Sequence, residues 1–275
     1  MGTVLNEKLN KFELAPFPQS VNSLLEAFRD PDSTTSEFVS IVETDPPLVG
    51  RIIKTINSPF YGFTNEITSI SHAVTMLGRS PLRTLALSYA FRTLLAGGTD
   101  SAELNEIVWS HSLGCGVVAR LLAERSQIDP EEAFIAGLFH DIGKLFICKT
   151  SPKVYEKMIN LCGETLLKKE EKAFGFTHPE AGFRLAVSWP IGEKIKFAIK
   201  AHGDAYNDSA HPEFVKAISL ANDLAHHWGI GASFAKPDYE IDTELATEFA
   251  LTEELLSSLR PIAEDRFAES FPCFS

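Results

Sequence analysis

The run His140-Asp141-Ile142-Gly143-Lys144 places an imidazole beside a carboxylate at the end of a predicted helix. Neutral imidazole and carboxylate groups bind borderline divalent metals well, and two ligands on one backbone segment reduce the entropy lost when a site assembles. Further candidate ligands on predicted helices are His111, His178, His202 and Asp223. The sequence therefore raises the hypothesis of a site for a divalent transition metal, either iron, manganese or zinc.

Each candidate ligand also has a purely structural interpretation. A lone histidine such as His111, on a helix rich in Leu, Val and Ala, is by default a core residue bonded to a backbone carbonyl. His140 and Lys144 could complement the dipole at a helix C-terminus, and Asp223 could pair with a histidine one turn further along its helix. The histidines without motif support are interpreted as surface or packing residues: His72, His211, His226 and His227.

The balance of charge argues against several classes of partner. The 275 residues carry 37 acidic and 25 basic side chains, for a net charge of -12. Such a surface repels nucleic acid and anionic lipid, since nucleic-acid binding depends on Lys and Arg at the phosphates. No apolar run approaches the roughly 20 residues that span a bilayer. We therefore predict that the protein binds neither nucleic acid polymers nor membranes. The four cysteines lack Cys-x-x-Cys spacing, which predicts a cytoplasmic protein.

Helix signals recur along nearly the whole chain, and the alternation typical of strands is almost absent, which predicts the all-α class. Asp129-Pro130 and the run Thr177 to Glu180 each combine an N-cap with a proline in the first helical turn. Gly97-Gly98 is the best internal boundary. The acidic stretch from Lys236 to Glu248 is predicted to be a loop or a loosely attached segment, and a last helix is predicted from Thr252 to Phe267.

Several ordered motifs resemble the HDOD family, the HD-related output domain of bacterial signalling proteins. The motifs in the first half are Ala15 to Pro18, Asp45 to Leu48, Ile56 to Gly62, Ile70 to Val74 and Met76 to Gly78. In the second half, Trp109 to His111 and His140 to Lys144 resemble the core of HD metal-dependent phosphohydrolases. The resemblance implies an N-terminal helical bundle packed on an HD-type helical core.

The resemblance also suggests domain boundaries. It covers residues 12–228, which we divide into an N-terminal helical subdomain, 12–98, and an HD-like subdomain with the metal site, 99–228. Residues 229–275 would form a C-terminal extension, a loop plus a helix packed on the core.

The resemblance assigns a role to each candidate residue. It implies one metal held by His111, His140, Asp141 and Asp223. The related HD-GYP phosphodiesterases use further histidines for a second metal, at positions that correspond to His178 and His202. Lys144 stands where those relatives contact a substrate phosphate.

Two departures from the HD-GYP pattern bear on the substrate. Where that pattern has two consecutive histidines and a glutamate, this chain has His202-Gly203-Asp204. The downstream Gly-Tyr-Pro signature is absent from the run Asp204 to Asp208. A full multinuclear centre is thus in question, and cyclic-di-GMP is not favoured as substrate.

Three functions follow as hypotheses. The leading one is a signal-transduction module with a retained metal site, whose partner is a regulatory protein or a small-molecule or nucleotide ligand. The second is an active phosphohydrolase with Asp141 and Lys144 as catalytic residues, because a metal with an open position activates water for attack on a phosphoryl group. The third is an interaction scaffold without metal.

Overall fold

The computed structural model describes residues 16–96, 102–158, 161, 163–203, 210–231 and 241–274. These residues form helices joined by turns, with no strand among them, which confirms the all-α class. The predicted boundary at Gly97-Gly98 lies outside the described residues. Within the described ranges, no helix is long and apolar enough to cross a bilayer.

Among the described residues, the N-terminal part contains five helices. They are α1 (Gln19–Ala27), α2 (Thr35–Glu43), α3 (Pro46–Ile56), α4 (Ile70–Leu77) and α5 (Arg79–Ala96). The Asp45 carboxylate caps α3 by accepting a hydrogen bond from the Leu48 N–H. Between α4 and α5 the chain turns at Gly78, whose φ of +71° is disfavoured for residues with a side chain.

In the range 99–228, which is predicted to be HD-like and is called the HD-like part, the described residues contain eight helices. They are α6 (Ala102–Ala123), α7 (Pro130–Phe139), α8 (Ile142–Thr150), α9 (Pro152–Tyr155), α10 (Gly163–Phe174), α11 (His178–Ala186), α12 (Glu193–Ala201) and α13 (Pro212–Trp228). Both predicted caps are confirmed: Asp129 accepts a hydrogen bond from the Glu132 N–H, and Thr177 with Glu180 forms a capping box. Helix α6 packs against α7 and α13, and α8 packs against α11.

Two helices follow the HD-like part, α14 (Thr243–Glu248) and α15 (Glu253–Phe274). The prediction of a loop up to Glu248 is therefore wrong for α14, which begins where Asp242 accepts hydrogen bonds from two backbone N–H groups. Helix α15 extends beyond the predicted end at Phe267, because its last turn is anchored on α3. There Thr55 donates a hydrogen bond to the Cys273 carbonyl over 3.2 Å.

Aromatic contacts join the N-terminal helices to the end of α7, where the metal motif begins. The Phe91 and Phe17 rings lie 4.9 and 6.5 Å from the Phe139 ring. Phe17 also packs on Trp189, with the ring centroids 4.8 Å apart. Phe139 directly precedes His140, so the N-terminal helices help to fix the backbone that carries the motif.

Gly143 allows α8 to approach α11 closely. A Cβ atom built on Gly143 would lie 1.9 Å from the His178 carbonyl oxygen and 2.6 Å from the Gly182 nitrogen, both of which are backbone atoms. The glycine of the His140–Lys144 motif is thus required by packing, because it lets Asp141 and His178 come together.

Replacing Gly143 with alanine is therefore expected to force the two helices apart and to lower the free energy of unfolding by about 1–3 kcal/mol. Urea unfolding followed by circular dichroism measures this change. The matched control is Gly50→Ala in α3, since a Cβ there meets no atom within 4 Å and alanine is the better helix former. Equal stability of the two variants would contradict the packing argument.

Candidate metal centre

Five of the six predicted ligands converge on one buried point. They are His111, His140, Asp141, His178 and His202. Their ligand atoms fall into two groups that share Asp141, and within each group all atoms lie within 4.8 Å of one another. The first group adds His111 and His140 to Asp141, and the second adds His178 and His202. No residue of the set is more than 4% exposed.

The Asp141 carboxylate lies between the two pairs of imidazoles. Its Oδ2 atom is 3.3 Å from His140 Nε2 and 3.4 Å from His111 Nε2. Its Oδ1 atom is 3.2 Å from His178 Nε2 and 3.5 Å from His202 Nε2. Because each oxygen faces its own pair of nitrogens, this carboxylate has the geometry of a bridging ligand for two cations.

Helix ends position most of these side chains. His140 follows α7 directly, and Asp141 directly precedes α8. His178 is the first residue of α11, and His202 directly follows α12. His111 alone lies inside a helix, on α6. The residues that begin and end these helices therefore also determine where the ligands lie.

Three of the imidazoles have their protonated nitrogen fixed by an acceptor. The Nδ1 atom of His140 lies 2.6 Å from the Gly137 carbonyl oxygen, and that of His202 lies 3.1 Å from the Ile199 carbonyl oxygen. The Nδ1 atom of His178 lies 2.8 Å from Glu170 Oε2. Oxygens of this kind only accept, so Nδ1 donates, and each Nε2 points at the centre and presents a lone pair there once the ring is neutral, as in metal-binding histidines.

When the rings are neutral, no described protein group donates a hydrogen bond to these Nε2 lone pairs. The Nε2 atoms of His178 and His202 face each other at 3.2 Å. The Nε2 atom of His140 and the Oδ1 atom of Asp141 are buried without a hydrogen-bond partner among the described residues. Buried acceptors without donors are costly, and a cation between them satisfies all of them at once. The residues therefore fit a divalent metal.

Two of the central ligands, Asp141 and His202, have pKa values that favour metal binding. Burial alone would raise the pKa of Asp141, but the positive charges of His140 and Lys144 outweigh it and leave that pKa well below its usual range. The Lys144 ammonium lies 2.5 Å from Asp141 Oδ2. Burial lowers the pKa of His202 to about 4. At neutral pH, Asp141 is ionised and His202 is neutral, as ligation requires.

Burial would lower the pKa values of His140 and His178, but Asp141 outweighs burial at His140 and Glu170 outweighs it at His178, so both pKa values are raised. A metal ion would therefore replace the Nε2 protons of these two imidazoles when it binds.

The remaining predicted ligand, Asp223, belongs to neither group. Its neighbour on α13, Asn222, contacts the centre, with its Oδ1 atom 3.1 Å from His111 Nε2. One turn further on, His226 is buried and its ring stacks on the His111 ring at 4.4 Å. A role for Asp223 as a metal ligand stays a prediction.

Sequence reasoning missed two contacts of the centre. His226 was predicted to be a surface or packing residue, and its stacking on His111 confirms the packing alternative, although its contact with the centre was not predicted. Its position four residues after Asn222 was the signal that both side chains face the same way. Glu170 on α10 belongs to no motif, yet it is fully buried and accepts hydrogen bonds of 2.8 Å from both the backbone N–H and the Nδ1 of His178. It anchors His178 in place.

A second hydrophobic cluster lies beside the centre and contains Cys148, Tyr155 and Phe176. Burial raises the pKa of the Cys148 thiol from about 9 in an exposed chain to about 12. Above pH 9 the unfolded state loses this proton while the folded state keeps it, so the free energy of unfolding falls as the pH rises toward 12.

Cys148→Ala is expected to remove this component of the pH dependence. Between pH 9 and 10 the wild-type free energy of unfolding should fall more steeply than that of the variant, by up to about 1.4 kcal/mol per pH unit. Urea unfolding at closely spaced pH values gives both slopes, and the comparison of slopes is independent of any cavity the substitution leaves. Equal slopes would show that Cys148 ionises as easily in the folded protein as in the unfolded chain.

The family profile for HDOD domains matches residues 14–205, so the chain belongs to the HDOD family. A protein of Treponema pallidum (strain Nichols), described as uncharacterized, is 24% identical over 214 residues, which are 74% of this chain and 41% of that protein. The chain thus spans less than half the length of this relative.

Solved structures share the fold. The crystal structure of an HDOD domain protein with unknown function from Geobacter sulfurreducens matches with a TM-score of 0.78 and 27% identity, over 96% of this chain and 97% of that one. A candidate metal-dependent phosphohydrolase from Shewanella amazonensis SB2B matches with a TM-score of 0.67 and 20% identity, over 100% and 99% of the two chains. The N-terminal helices and the HD-like part therefore occur together in other proteins.

Proposed function

We propose that this protein is a cytoplasmic bacterial signal-transduction module of the HDOD type that holds one or two divalent transition-metal ions. The observation that carries the proposal is the orientation of the imidazoles around Asp141. Three of them are fixed by acceptors at Nδ1, and all four direct Nε2 at the same carboxylate. The ligands would be His111, His140, Asp141, His178 and His202.

The donor set narrows the identity of the metal. Four imidazole nitrogens and one carboxylate suit iron, manganese or zinc better than magnesium or calcium, which prefer oxygen ligands. The bridging geometry of Asp141 supports two positions, one on each carboxylate oxygen. A bound ion would act as a Lewis acid and would lower the pKa of a coordinated water.

The depth of the site favours a signalling role over turnover. His140 and Asp141 are at most 1% exposed, and three surface cavities in the described part of the chain are lined by none of the ligands. A phosphate ester would need access that these buried side chains do not offer. Within this proposal the metal stabilises one arrangement of the helices. A regulatory protein or a small-molecule or nucleotide ligand binds the surface that this arrangement presents.

One observation favours the second candidate function, a metal-dependent phosphohydrolase. Lys144 contacts Asp141 and is 15% exposed, and its ammonium could hold a phosphate next to the metal. In that case Asp141 would bind the metal and Lys144 would position the substrate. The likeness to the Shewanella candidate phosphohydrolase extends to the fold and supports this reading only at that level.

Metal analysis of protein purified without an affinity tag or added metal tests the proposal. We expect between one and two equivalents of iron, manganese or zinc per chain, and less than about a tenth of an equivalent would leave only the scaffold without metal. Hydrolysis of a generic aryl phosphodiester separates the other two functions. Turnover that is lost in Asp141→Ala would establish the hydrolase, whereas turnover that survives this substitution comes from a contaminant.

A further inference from the structure

Three arginines surround one cleft between the N-terminal helices and the HD-like part. Arg29 follows α1, Arg79 and Arg83 lie on α5, and the opposite wall is the turn that contains Gly192. The cavity has a volume of about 380 Å³ and includes the apolar side chain of Phe28. We call this surface, defined by Arg29, Arg79, Arg83 and Gly192, the arginine cleft.

None of these three guanidinium groups forms a salt bridge with a carboxylate in the described part of the chain. Four arginines elsewhere each lie within 3 Å of a carboxylate oxygen: Arg92, Arg120, Arg260 and Arg266. The three guanidinium groups of the cleft therefore concentrate positive charge at one place without a carboxylate bonded directly to any of them.

Hydrogen bonds to backbone carbonyls hold two arginines of the cleft in fixed positions. Arg79 donates hydrogen bonds to the backbone carbonyls of Phe28 and Asp30 over 3.1 and 2.8 Å, which fixes the end of α1 beside α5. Arg83 donates from Nη2 to the Ile191 carbonyl over 2.9 Å, which ties α5 to the opposite wall. Carbonyl acceptors hold both side chains in position but leave their net charge in place.

Arg83 is partly desolvated, and an anion bound at its guanidinium would offset that cost. Burial lowers the pKa of Arg83, and although Glu132 and Asp129 attract its charge, Arg29 repels it. Of the two acids, Glu132 is itself paired with Lys194 over 3.2 Å. Guanidinium groups bind phosphate oxygens in a bidentate manner, and Phe28 adds an apolar surface.

We propose that the arginine cleft binds a small phosphate-bearing anion, at a site separate from the metal centre. The ligand would bridge the two parts of the molecule, because Arg29 and Arg83 belong to the N-terminal helices and Gly192 to the HD-like part. Gly192 directly precedes α12, and His202 follows the other end of the same helix. Helix α12 therefore connects the anion site to one ligand of the metal centre.

Isothermal titration of the full-length protein with inorganic pyrophosphate at low salt tests this site. We expect one molecule bound per chain, and a dissociation constant raised about tenfold or more in Arg83→Gln. Arg29→Gln should also raise the dissociation constant. Because the Arg29 side chain is exposed, this variant should fold, and it replaces Arg83→Gln as the test if Arg83→Gln does not fold. Arg260→Gln, on α15, is the matched control and should change the affinity by less than about twofold.

Three outcomes would overturn the proposal. They are the absence of pyrophosphate binding to the wild-type protein, equal loss of affinity in Arg260→Gln and Arg83→Gln, and affinity that Lys144→Ala removes while Arg83→Gln leaves it unchanged. The last result would place the anion at the metal centre. The metal content is measured before and after the titration, so that metal withdrawn by pyrophosphate is not counted as binding.

Discussion

Replacing Asp141 with asparagine is expected to reduce the bound transition metal from at least one equivalent per chain to less than about a tenth of an equivalent. The substitution preserves the shape of the side chain but removes the negative charge that both ligand groups share. A neutral amide offers one weak oxygen ligand and cannot bridge two cations as a carboxylate does. Both metal positions should therefore be lost together.

Elemental analysis of the purified variant measures this loss. Asp129→Asn is the matched control, because Asp129 caps α7 at a distance from the centre and asparagine is an equally good N-cap. It should retain the wild-type metal content. If Asp141→Asn kept its metal at the wild-type level, Asp141 would not be a ligand and the two-group geometry would have no functional meaning.

Glu170→Gln is expected to weaken metal binding at the His178 and His202 group by about 10–100-fold. The Glu170 carboxylate raises the basicity of His178 and holds its ring toward Asp141, and a neutral amide does this poorly. Glu170→Ala should in addition lower the free energy of unfolding by about 2–5 kcal/mol, because two buried N–H groups of His178 lose their acceptor.

Competition with a metal-binding dye measures the affinity of each position, and urea unfolding measures the stability. Glu180→Gln is the matched control, since Glu180 also accepts a 2.8 Å hydrogen bond from a backbone N–H, that of Thr177, but lies exposed at the start of α11. It should cost about 1 kcal/mol of stability and leave the metal affinity unchanged. A loss of the same size in both glutamine variants would reduce Glu170 to an ordinary structural residue.

Local signals in the sequence predicted the elements that carry the centre. The caps at Asp129 and Thr177 depend only on residues within one helical turn, and they set where α7 and α11 begin. The end of α7 at His140 was likewise readable from the motif. Because these helix ends hold three of the five converging ligands, most of the site could be inferred before its geometry was known.

Contacts between distant segments could not be read in the same way. Asn222 and Asp223 are adjacent, and only the rotation of α13 against α6 decides which of them faces His111. Glu170 reaches His178 from a helix that the sequence analysis did not identify, and its role follows from burial rather than from spacing. Helix α14 was read as a loop because an acidic segment with few apolar residues gives a weak periodic signal, although Leu245 and Ala246 are buried.

The most direct test of the central claim is a crystal structure with anomalous scattering recorded at the iron, manganese and zinc absorption edges. The account predicts one or two anomalous peaks beside the Asp141 carboxylate, within about 2.0–2.2 Å of His140 Nε2 or His178 Nε2. Crystals of protein shown by elemental analysis to contain metal, but with the peak elsewhere and these imidazoles bonded only to protein groups, would contradict it.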